Sequence, residues 1–178
     1  LDVTLNATDD GCQGMLTWSM VSGPGGIVGN TYSFMPVCGD VGAIYTVEVQ
    51  VSDGLLTDQC TFDIEVINPA PTITCPDNID LAVLGDLIST TATATDLYMD
   101  PLTFTLVSFD HLTDPGRIPH NAPVVLGDGT ITWQTESFDD NDEGLWEVTV
   151  LVDDGCGGTA ECSFTIDVLS FTLCLGPV

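Results

Sequence analysis

The sequence predicts an all-β protein made of two tandem antiparallel β-sandwich domains. Apolar and polar residues alternate with a period of two, turns rich in Gly and Asp separate the alternating runs, and three sequence blocks occur twice in the same order. We therefore expect one domain at 1–68 and a second at 69–168. The repeated blocks are 7–24 with 94–111, 30–54 with 129–155, and 58–76 with 160–177.

Two long strands in each domain carry the clearest alternation. One face of such a strand packs on a core and the other meets water, as is typical of antiparallel sheets. Trp18, Trp133 and Trp146 also lie in alternating runs, which predicts that they belong to the cores. The apolar positions of the long strands are Val47, Val49, Val51, Cys60, Phe62, Ile64 and Val66 in the first copy, and Trp146, Val148, Val150, Val152, Cys162, Phe164, Ile166 and Val168 in the second.

Two connecting segments are predicted from their proline content. The sequence INPAPTIT at 67–74 forms the linker between the domains, because its prolines cannot continue a paired strand. The second copy has an insertion at 110–125, rich in proline and turn residues, which we expect to be a loop. His111 and His120 fall in this loop and are expected to be solvated. No serine or cysteine has a recognisable nucleophile context, so we expect no enzyme.

The repeat predicts that the first domain lacks its opening strand. In the second domain, residues 71–96 hold the opening strand and the strand after it, whereas only residues 1–9 are available up to the corresponding position, Asp9. A sandwich without an edge strand exposes unpaired backbone groups and an apolar groove. A surplus strand is predicted at 169–178, with its apolar positions at Leu169, Phe171, Leu173 and Leu175.

This surplus strand has three interpretations. It inserts into the first domain of the next molecule as a donor strand, it belongs to a longer repeat array, or it is a frayed tail. Insertion is favoured, because the short link before it offers too little reach, at ~3.5 Å per residue, to return to the chain's own first domain. Head-to-tail insertion does not close on itself, so it predicts a filament of identical subunits.

Acidic residues dominate the charge of the chain. The 178 residues include 27 Asp and Glu but a single basic residue, Arg117, which gives a net charge of −26. Such a charge repels phosphate groups, so nucleic acids and anionic membrane surfaces are excluded as partners. No apolar run approaches the ~18 residues of a membrane-spanning helix, so we expect no membrane insertion.

Divalent cations are the natural partners of this charge. Calcium takes about six to eight oxygen ligands, and neighbouring carboxylates that repel one another gain most from it. The competing interpretation is that these residues are ordinary turn formers. The acidic loop residues that we expect to bind calcium are Asp9, Asp10 and Asp53 in the first domain, and Asp96, Asp100, Asp153 and Asp154 in the second.

Seven cysteines in a small strand-rich chain indicate an oxidising compartment. Because the sequence starts at Leu1 without a basic leader, we expect a removed signal peptide and a secreted, extracellular protein of a cell-surface appendage. An odd number means that at least one cysteine is free or pairs outside its own chain. Asn6-Ala7-Thr8 is an N-glycosylation sequon, which predicts a glycan on Asn6 unless the match is due to chance.

Three short motifs recur at fixed places in the domains. PTITCP opens the second domain, VEVQVSDG or VTVLVDDG follows, and the pattern Cys-x-Phe-x-Ile-x-Val closes each copy. Together they resemble the hyalin repeat and the related Ig-like and cadherin-like modules of bacterial surface proteins. The resemblance implies Ig-like sandwiches used as spacers or adhesins, and for cadherin-like modules it implies calcium at the domain seam.

The same resemblance implies disulfides. In hyalin-like repeats the opening cysteine bonds to one in the last strand, which here implies Cys75–Cys162. The first copy is similar to a variant with a cysteine after TDDG and another in CGDVG, which implies Cys12–Cys38. Cys38–Cys156 across the domain seam is the competing assignment.

Cys60 and Cys174 are two further candidates, for an intermolecular bond. Cys60 has no evident partner in its own domain, and Cys174 occupies the place of the cysteine in PTITCP. A bond between them accounts for the odd count. The phase of the tail opposes it, because Cys174 faces outward if Leu173 and Leu175 face inward.

These inferences favour a structural subunit of an extracellular, pilus-like filament that assembles head to tail with copies of itself. The alternative is a spacer or adhesin segment of a larger bacterial surface protein that binds a carbohydrate or protein ligand. A concentration-dependent polymer distinguishes the filament subunit from the spacer.

Overall fold

The computed structural model describes residues 1–9, 14–138 and 140–170. Regular structure in these residues is almost entirely β-strand, apart from single turns of 3-10 helix at Cys38–Asp40 and Asp140–Asp142. The chain divides into two compact units, Leu1–Asn68 and Pro69–Val178, at the residue where the repeat places the boundary. The all-β class and the antiparallel sheets are confirmed.

The first domain is a sandwich of two three-stranded sheets. One sheet has the order β1-β4-β3 and the other β2-β5-β6, and all pairs are antiparallel. The two sheets enclose Leu5, Tyr32, Val47 and Val49, which are buried. The strands are β1 (Asp2–Thr4), β2 (Thr17–Ser22), β3 (Gly26–Val28), β4 (Thr31–Ser33), β5 (Ile44–Ser52) and β6 (Thr57–Glu65).

The second domain repeats this plan and adds two opening strands. The sheet β11-β14-β15-β8 faces a sheet β12-β13-β9, and β7 pairs with β10. One pair departs from the antiparallel prediction, because β8 runs parallel to β15. The strands are β7 (Thr72–Thr74), β8 (Ile79–Val83), β9 (Leu87–Thr91), β10 (Thr93–Thr95), β11 (Thr103–His111), β12 (Val124–Val125), β13 (Thr130–Gln134), β14 (Gly144–Asp153) and β15 (Thr159–Leu169).

An aromatic cluster forms the centre of the second core. Phe109 stacks on Trp146 with ring centroids 4.6 Å apart and meets the edge of Trp133 at 4.8 Å. Both tryptophans are buried, and each indole N–H donates to a backbone carbonyl, so neither leaves a polar atom unpaired. This confirms the core prediction for Trp133 and Trp146, whereas Trp18 is only half-buried.

The expectation that both histidines are solvated is wrong for His111. Its side chain is buried at the end of β11 and packs against Trp146. Nδ1 accepts the Asp114 N–H at 2.9 Å, so Nε2 carries the proton and donates to the Glu143 carbonyl at 3.2 Å. Sequence polarity missed this, because β11 continues through His111, which pairs with Trp146 of β14. Gly144 makes room for the imidazole, since a Cβ at this position would collide with it.

A disulfide joins Cys75 and Cys162, with their Cα atoms 5.7 Å apart and 87 residues between them in the sequence. This is the pair that the hyalin-like motifs imply. Cys75 directly follows β7 and Cys162 lies in β15, so the bond fixes the opening strand to the last one. Cys38 and Cys156 are disulfide-bonded as well. Cys12 and Cys174 lie outside the described residues, so Cys12–Cys38 and Cys38–Cys156 both remain predictions.

Leu169 belongs to β15, which corrects its assignment to a separate donor strand. It pairs with Val83 of β8, and its carbonyl accepts the Leu84 N–H at 3.1 Å. The apolar phase could not reveal this, because pairing with β8 extends β15 past the last inward residue. The next residue, Ser170, donates its hydroxyl to Glu143 at 2.8 Å. Phe171, Leu173 and Leu175 lie outside the described residues.

We expect the double variant Cys75→Ala/Cys162→Ala to lower the free energy of unfolding of the second domain by ~2–4 kcal/mol, because it opens a long covalent loop. Urea unfolding followed by tryptophan fluorescence measures this, since Trp133 and Trp146 both lie in this core. Cys60→Ser is the matched control, because Cys60 is exposed and free. An unchanged midpoint in the double variant would contradict a stabilising role for the bond.

Candidate functional site

The two domains share the same strands except at one place. Strands β1 to β6 correspond in order to β9 and β11 to β15, and they form matching sheets. Within residues 1–9 and 14–68, the structure contains no counterpart of β7 or β8. The position of these two opening strands in the second domain therefore defines a candidate site in the first.

The pairing register shows that the last strands of the two domains, β6 and β15, correspond residue by residue. Val47 pairs with Phe62 and Val49 with Cys60 in the first domain. In the second, Val148 pairs with Phe164 and Val150 with Cys162. Cys60 thus occupies in β6 the position that Cys162 occupies in β15.

The second flank of the site is the segment 6–9. Leu5 N–H donates to the Asn30 carbonyl at 2.8 Å, and Ala92 N–H donates to the Gly129 carbonyl at 3.0 Å, so these two positions correspond. Residues 6–8 therefore match β10, which pairs antiparallel with β7 in the second domain. In the first domain, residues 6–8 are exposed and form no strand pair.

An open groove of about 530 Å³ lies between these flanks. Residues 6–9 form one wall and residues 57–60 of β6 form the other. Both walls correspond to the neighbours of β7, so the groove lies where β7 stands in the second domain. Its floor includes Leu16, Trp18, Val49 and Val51.

The inward side chains of β6 are less covered than their counterparts in β15. Phe62 and Ile64 are half-buried, whereas Phe164 and Ile166 are 2% and 0% exposed. Cys60 is exposed, whereas Cys162 is half-buried and bonded. The side chains of β6 are more exposed because the described part of the first domain lacks the opening segment that covers the second core. In the second domain, Ile73, Cys75 and Ile79 of that segment pack on the core.

The backbone of β6 is also unpaired on its outer side. β6 bonds only to β5 among residues 1–9 and 14–68, whereas β15 bonds to β14 and to β8. An exposed strand edge next to uncovered apolar side chains is a template for pairing with a further strand. The repeat predicts the missing strand but not its position between Asn6 and Cys60. The alignment of the two ATD sequences, at 7–9 and 94–96, was the signal for that position.

The structure describes two of the three acidic residues that were predicted to bind calcium in the first domain. Asp9 and Asp53 both line the groove. Asp53 Oδ1 accepts the N–H groups of Leu55 and Leu56, each at 2.7 Å, and these bonds hold the pKa of Asp53 below its usual value. Its role in the described structure is that of a turn former. Asp10 lies outside the described residues.

The acidic loops of the second domain contain a different feature. Asp96 Oδ1 accepts the N–H groups of Tyr98 and Asp100, at 2.8 and 3.1 Å, while Asp96 Oδ2 is buried without a hydrogen-bond partner. The Asp100 carboxylate lies within 4.8 Å of the sulfur of Cys156, which places it beside the loop that follows β14. A buried carboxylate oxygen without a donor carries a desolvation cost that a cation would offset.

Asp153 and Asp154 lie in that loop. Asp154 is buried, and its Oδ1 accepts the N–H groups of Cys156 and Gly158 at 2.8 and 2.9 Å. Asp153 Oδ1 accepts the Gly155 N–H at 2.7 Å. Both side chains therefore shape the hairpin between β14 and β15.

Across the three described ranges, no helix is long and apolar enough to cross a membrane.

No protein-family model and no curated protein sequence matches this chain. Among solved structures, it is similar to an endo-fucoidan hydrolase from glycoside hydrolase family 107, at 20% identity and a TM-score of 0.45, over 89% of this chain and 24% of that one. It is also similar to human protocadherin-24 EC1-2, at 15% identity and a TM-score of 0.46, over 96% and 88%, and to Drosophila N-cadherin EC1-4, at 13% and 0.42, over 94% and 44%. The chain thus spans about a quarter of the length of the hydrolase. Similarities this distant do not identify a function.

We expect Asp53→Ala to destabilise the first domain at pH 7, because it removes the acceptor of two backbone N–H groups. Since the pKa of Asp53 is lowered in the folded state, its contribution is complete above the unfolded value of ~3.9 and disappears as the pH falls through the folded value. The difference between wild type and variant should therefore shrink on acidification, as urea unfolding between pH 7 and pH 2.5 would show. Asp53→Asn keeps an acceptor but loses the charge, so its stability at pH 7 should lie between those of wild type and Asp53→Ala. Equal stability of all three proteins at pH 7 would contradict this role.

Proposed function

We propose that this protein is an extracellular structural subunit whose first domain accepts a β-strand from another copy of the chain, so that copies assemble head to tail into a filament. The observation that carries the proposal is the groove between residues 6–9 and β6 at the place of β7. Residues 6–8 correspond to β10, the partner of β7, and the outer edge of β6 corresponds to the edge of β15 that pairs with β8. A domain that presents both edges and the uncovered floor between them is suited to bind an extended strand.

The strand that we propose as donor is the segment 171–178, which follows β15 and lies outside the described residues. Its sequence FTLC at 171–174 aligns with TITC at 72–75, which is β7 and the cysteine after it. The chain therefore contains a second segment that places a cysteine where Cys75 follows β7 in the second domain. Its proposed partner is the first domain of a neighbouring copy.

Burial and backbone pairing supply the free energy of such a junction. Leu16 and Trp18 line the groove and are half-buried, and a large side chain gains ~1.5–3 kcal/mol between full exposure and full burial. Each chain has a net charge of −26, so neighbouring subunits repel, but a Debye length of ~8 Å at physiological ionic strength confines the repulsion to nearby groups. We therefore expect assembly to strengthen as salt is added.

The disulfides support an extracellular location. Cys75–Cys162, and the bonded state of Cys38 and Cys156, fit an oxidising compartment.

The alternative function, a spacer or adhesin that binds a carbohydrate, is supported by the same groove, because Trp18 could stack on a sugar and Asp9 could accept its hydrogen bonds.

Deleting residues 171–178 should abolish polymerisation and leave the second domain folded, because β15 is complete at Leu169. Negative-stain microscopy and sedimentation velocity over a range of concentrations measure this. Adding the peptide SFTLCLGPV to the truncated protein should keep it monomeric and raise its melting temperature, because the peptide binds the folded state. A scrambled peptide of the same composition is the control.

Two outcomes would contradict the proposal. Truncated protein that still polymerises would show that this segment is not the donor. Full-length protein that stays monomeric at every concentration, while oligosaccharides quench Trp18 fluorescence saturably, would favour the carbohydrate-binding spacer.

We also propose that the second domain binds calcium, with Asp96 and Asp100 as its principal ligands. The buried oxygen of Asp96 without a partner supports this, because a hard cation that takes carboxylate oxygens would satisfy it. Asp153 and Asp154 add negative charge in the adjacent loop. The first domain fits calcium less well, because Asp53 is engaged by backbone donors.

Calcium should raise the melting temperature of the second domain, and EDTA should reverse the rise, because the carboxylates repel one another without the ion. Asp96→Asn should remove this response. Asp128→Asn is the matched control, because Asp128 is a turn aspartate in the same domain that accepts the Thr130 N–H at 2.9 Å. A response to calcium that survives in Asp96→Asn would contradict the site.

Asn6 is exposed on the wall of the groove, which leaves its side chain accessible to a glycan. The glycan on Asn6 remains a prediction from the sequon.

A further inference from the structure

We infer that Cys60 is the covalent anchor for the incoming strand: it forms an intermolecular disulfide with Cys174 of the donor copy, and this bond fixes the register of the junction. The inference rests on the proposed strand donation and adds its chemistry and its register. It does not follow from strand insertion alone, because strands can pair in several registers without a covalent bond.

The Cys75–Cys162 bond of the second domain shows the geometry that the proposed disulfide would have. Cys162 lies opposite Val150 in β15 and bonds to Cys75, the residue that follows β7. Cys60 lies opposite Val49 in β6, at the corresponding position of the first domain. The Cα atoms of the bonded pair are 5.7 Å apart, within the range that a disulfide requires. A strand that enters the groove as β7 does would place its own cysteine at this distance from Cys60.

Cys60 is also available for such a bond. It lines the groove, it is exposed, and it is the free cysteine within residues 1–9, 14–138 and 140–170. The other cysteines of these ranges, Cys38, Cys75, Cys156 and Cys162, are disulfide-bonded. A position that carries a bonded cysteine in one copy and a free cysteine beside an open groove in the other indicates a bond completed on assembly.

The disulfide determines which donor residues face inward. In the second domain Ile73 and Cys75 are half-buried, whereas Thr72 and Thr74 are exposed. Alignment of FTLC with TITC therefore places Thr172 and Cys174 inward, and Phe171 and Leu173 outward. This register is one residue away from the one that the apolar alternation of the tail predicts. Once the bond has formed, the strand cannot slip between the two registers, so the bonded register is the one that persists.

Bond formation needs an oxidant, and we assign that role to a disulfide R–S–S–R, either a small molecule or a thiol oxidoreductase. The Cys174 thiolate attacks one sulfur of this donor and releases R–S⁻. The Cys60 thiolate then attacks the Cys174 sulfur of the mixed disulfide and releases the second R–S⁻. Two protein thiols are oxidised, the donor disulfide is reduced to two thiols, and these take up the two protons.

The first experiment tests the bond with the full-length chain and oxidised glutathione as the disulfide donor. Non-reducing denaturing gels should show a ladder of covalent oligomers that reducing agent collapses to monomer. Cys60→Ser and Cys174→Ser should each remove the ladder. A mixture of these two variants should give a covalent dimer and nothing larger, because it contains only one pair of compatible cysteines. Mass spectrometry should find the peptide of Cys60 linked to that of Cys174.

The outcomes separate the bond from the proposed function. Wild-type filaments without a ladder would overturn the covalent anchor while strand donation stands. Neither filaments nor ladder would overturn both. A ladder that persists in Cys60→Ser would assign the bond to another cysteine and would also overturn the inference.

The second experiment tests the register with two aspartate substitutions in adjacent donor residues. Thr172→Asp places a charge in the groove, so it should abolish the ladder and reduce polymer at least tenfold in sedimentation assays. Leu173 faces outward, so Leu173→Asp should leave the covalent ladder and the amount of polymer nearly unchanged. Both residues lie in the tail, so neither change affects the folding of the described domains. If Thr172→Asp is tolerated, the register is wrong, and the reverse pattern assigns the apolar register instead.

Discussion

The outer edge of the last strand is the constraint on which the rest of the structure depends. In the second domain, β8 pairs with the outer edge of β15, and the Cys75–Cys162 bond holds the preceding strand across the same region. Phe164 and Ile166 are fully covered as a result. The first domain has the same sheets and the same register but no such cover among its described residues, so Phe62 is only half-buried and an open groove lies beside residues 57–60 of β6. The two domains are therefore a closed and an open form of one unit.

Charge explains why this protein relies on covalent bonds and strand pairing. With 27 acidic residues and one basic residue, the chain cannot build networks of ion pairs. The single arginine has an acidic neighbour, Asp114, at 3.6 Å, and it donates to the backbone carbonyl of Glu143. Several acidic side chains instead accept backbone N–H groups in turns, as Asp53 and Asp154 do. Cohesion then comes from apolar cores, sheet hydrogen bonds and disulfides, none of which requires opposite charges.

Periodicity predicted the parts of the structure in which local pattern and burial agree. The long strands β5, β6, β14 and β15, and the burial of Trp133 and Trp146, follow from strict alternation along the sequence. The parallel pairing of β8 with β15 was missed, because it joins distant segments and leaves no mark on the alternation of either strand. The burial of His111 was missed for a related reason, since the pairing of β11 with the distant β14 extends the strand into the proline-rich insertion. The repeat predicted that a strand is missing from the first domain. The residues that form the walls of the groove could be identified only from the pairing register of both domains.

Register also connects the two roles proposed for the groove. Backbone pairing of a donated strand with residues 6–8 would hold its cysteine beside Cys60, at an effective concentration in the millimolar range that is typical of tethered groups. Disulfide exchange would then favour this pair over thiols in free solution, so weak non-covalent recognition could select a specific covalent product. The bond would in turn counteract the mutual repulsion of chains that each carry a charge of −26, because separation would require reduction rather than mere dissociation. Strand pairing would thus provide the selectivity of the junction, and the disulfide would provide its lifetime.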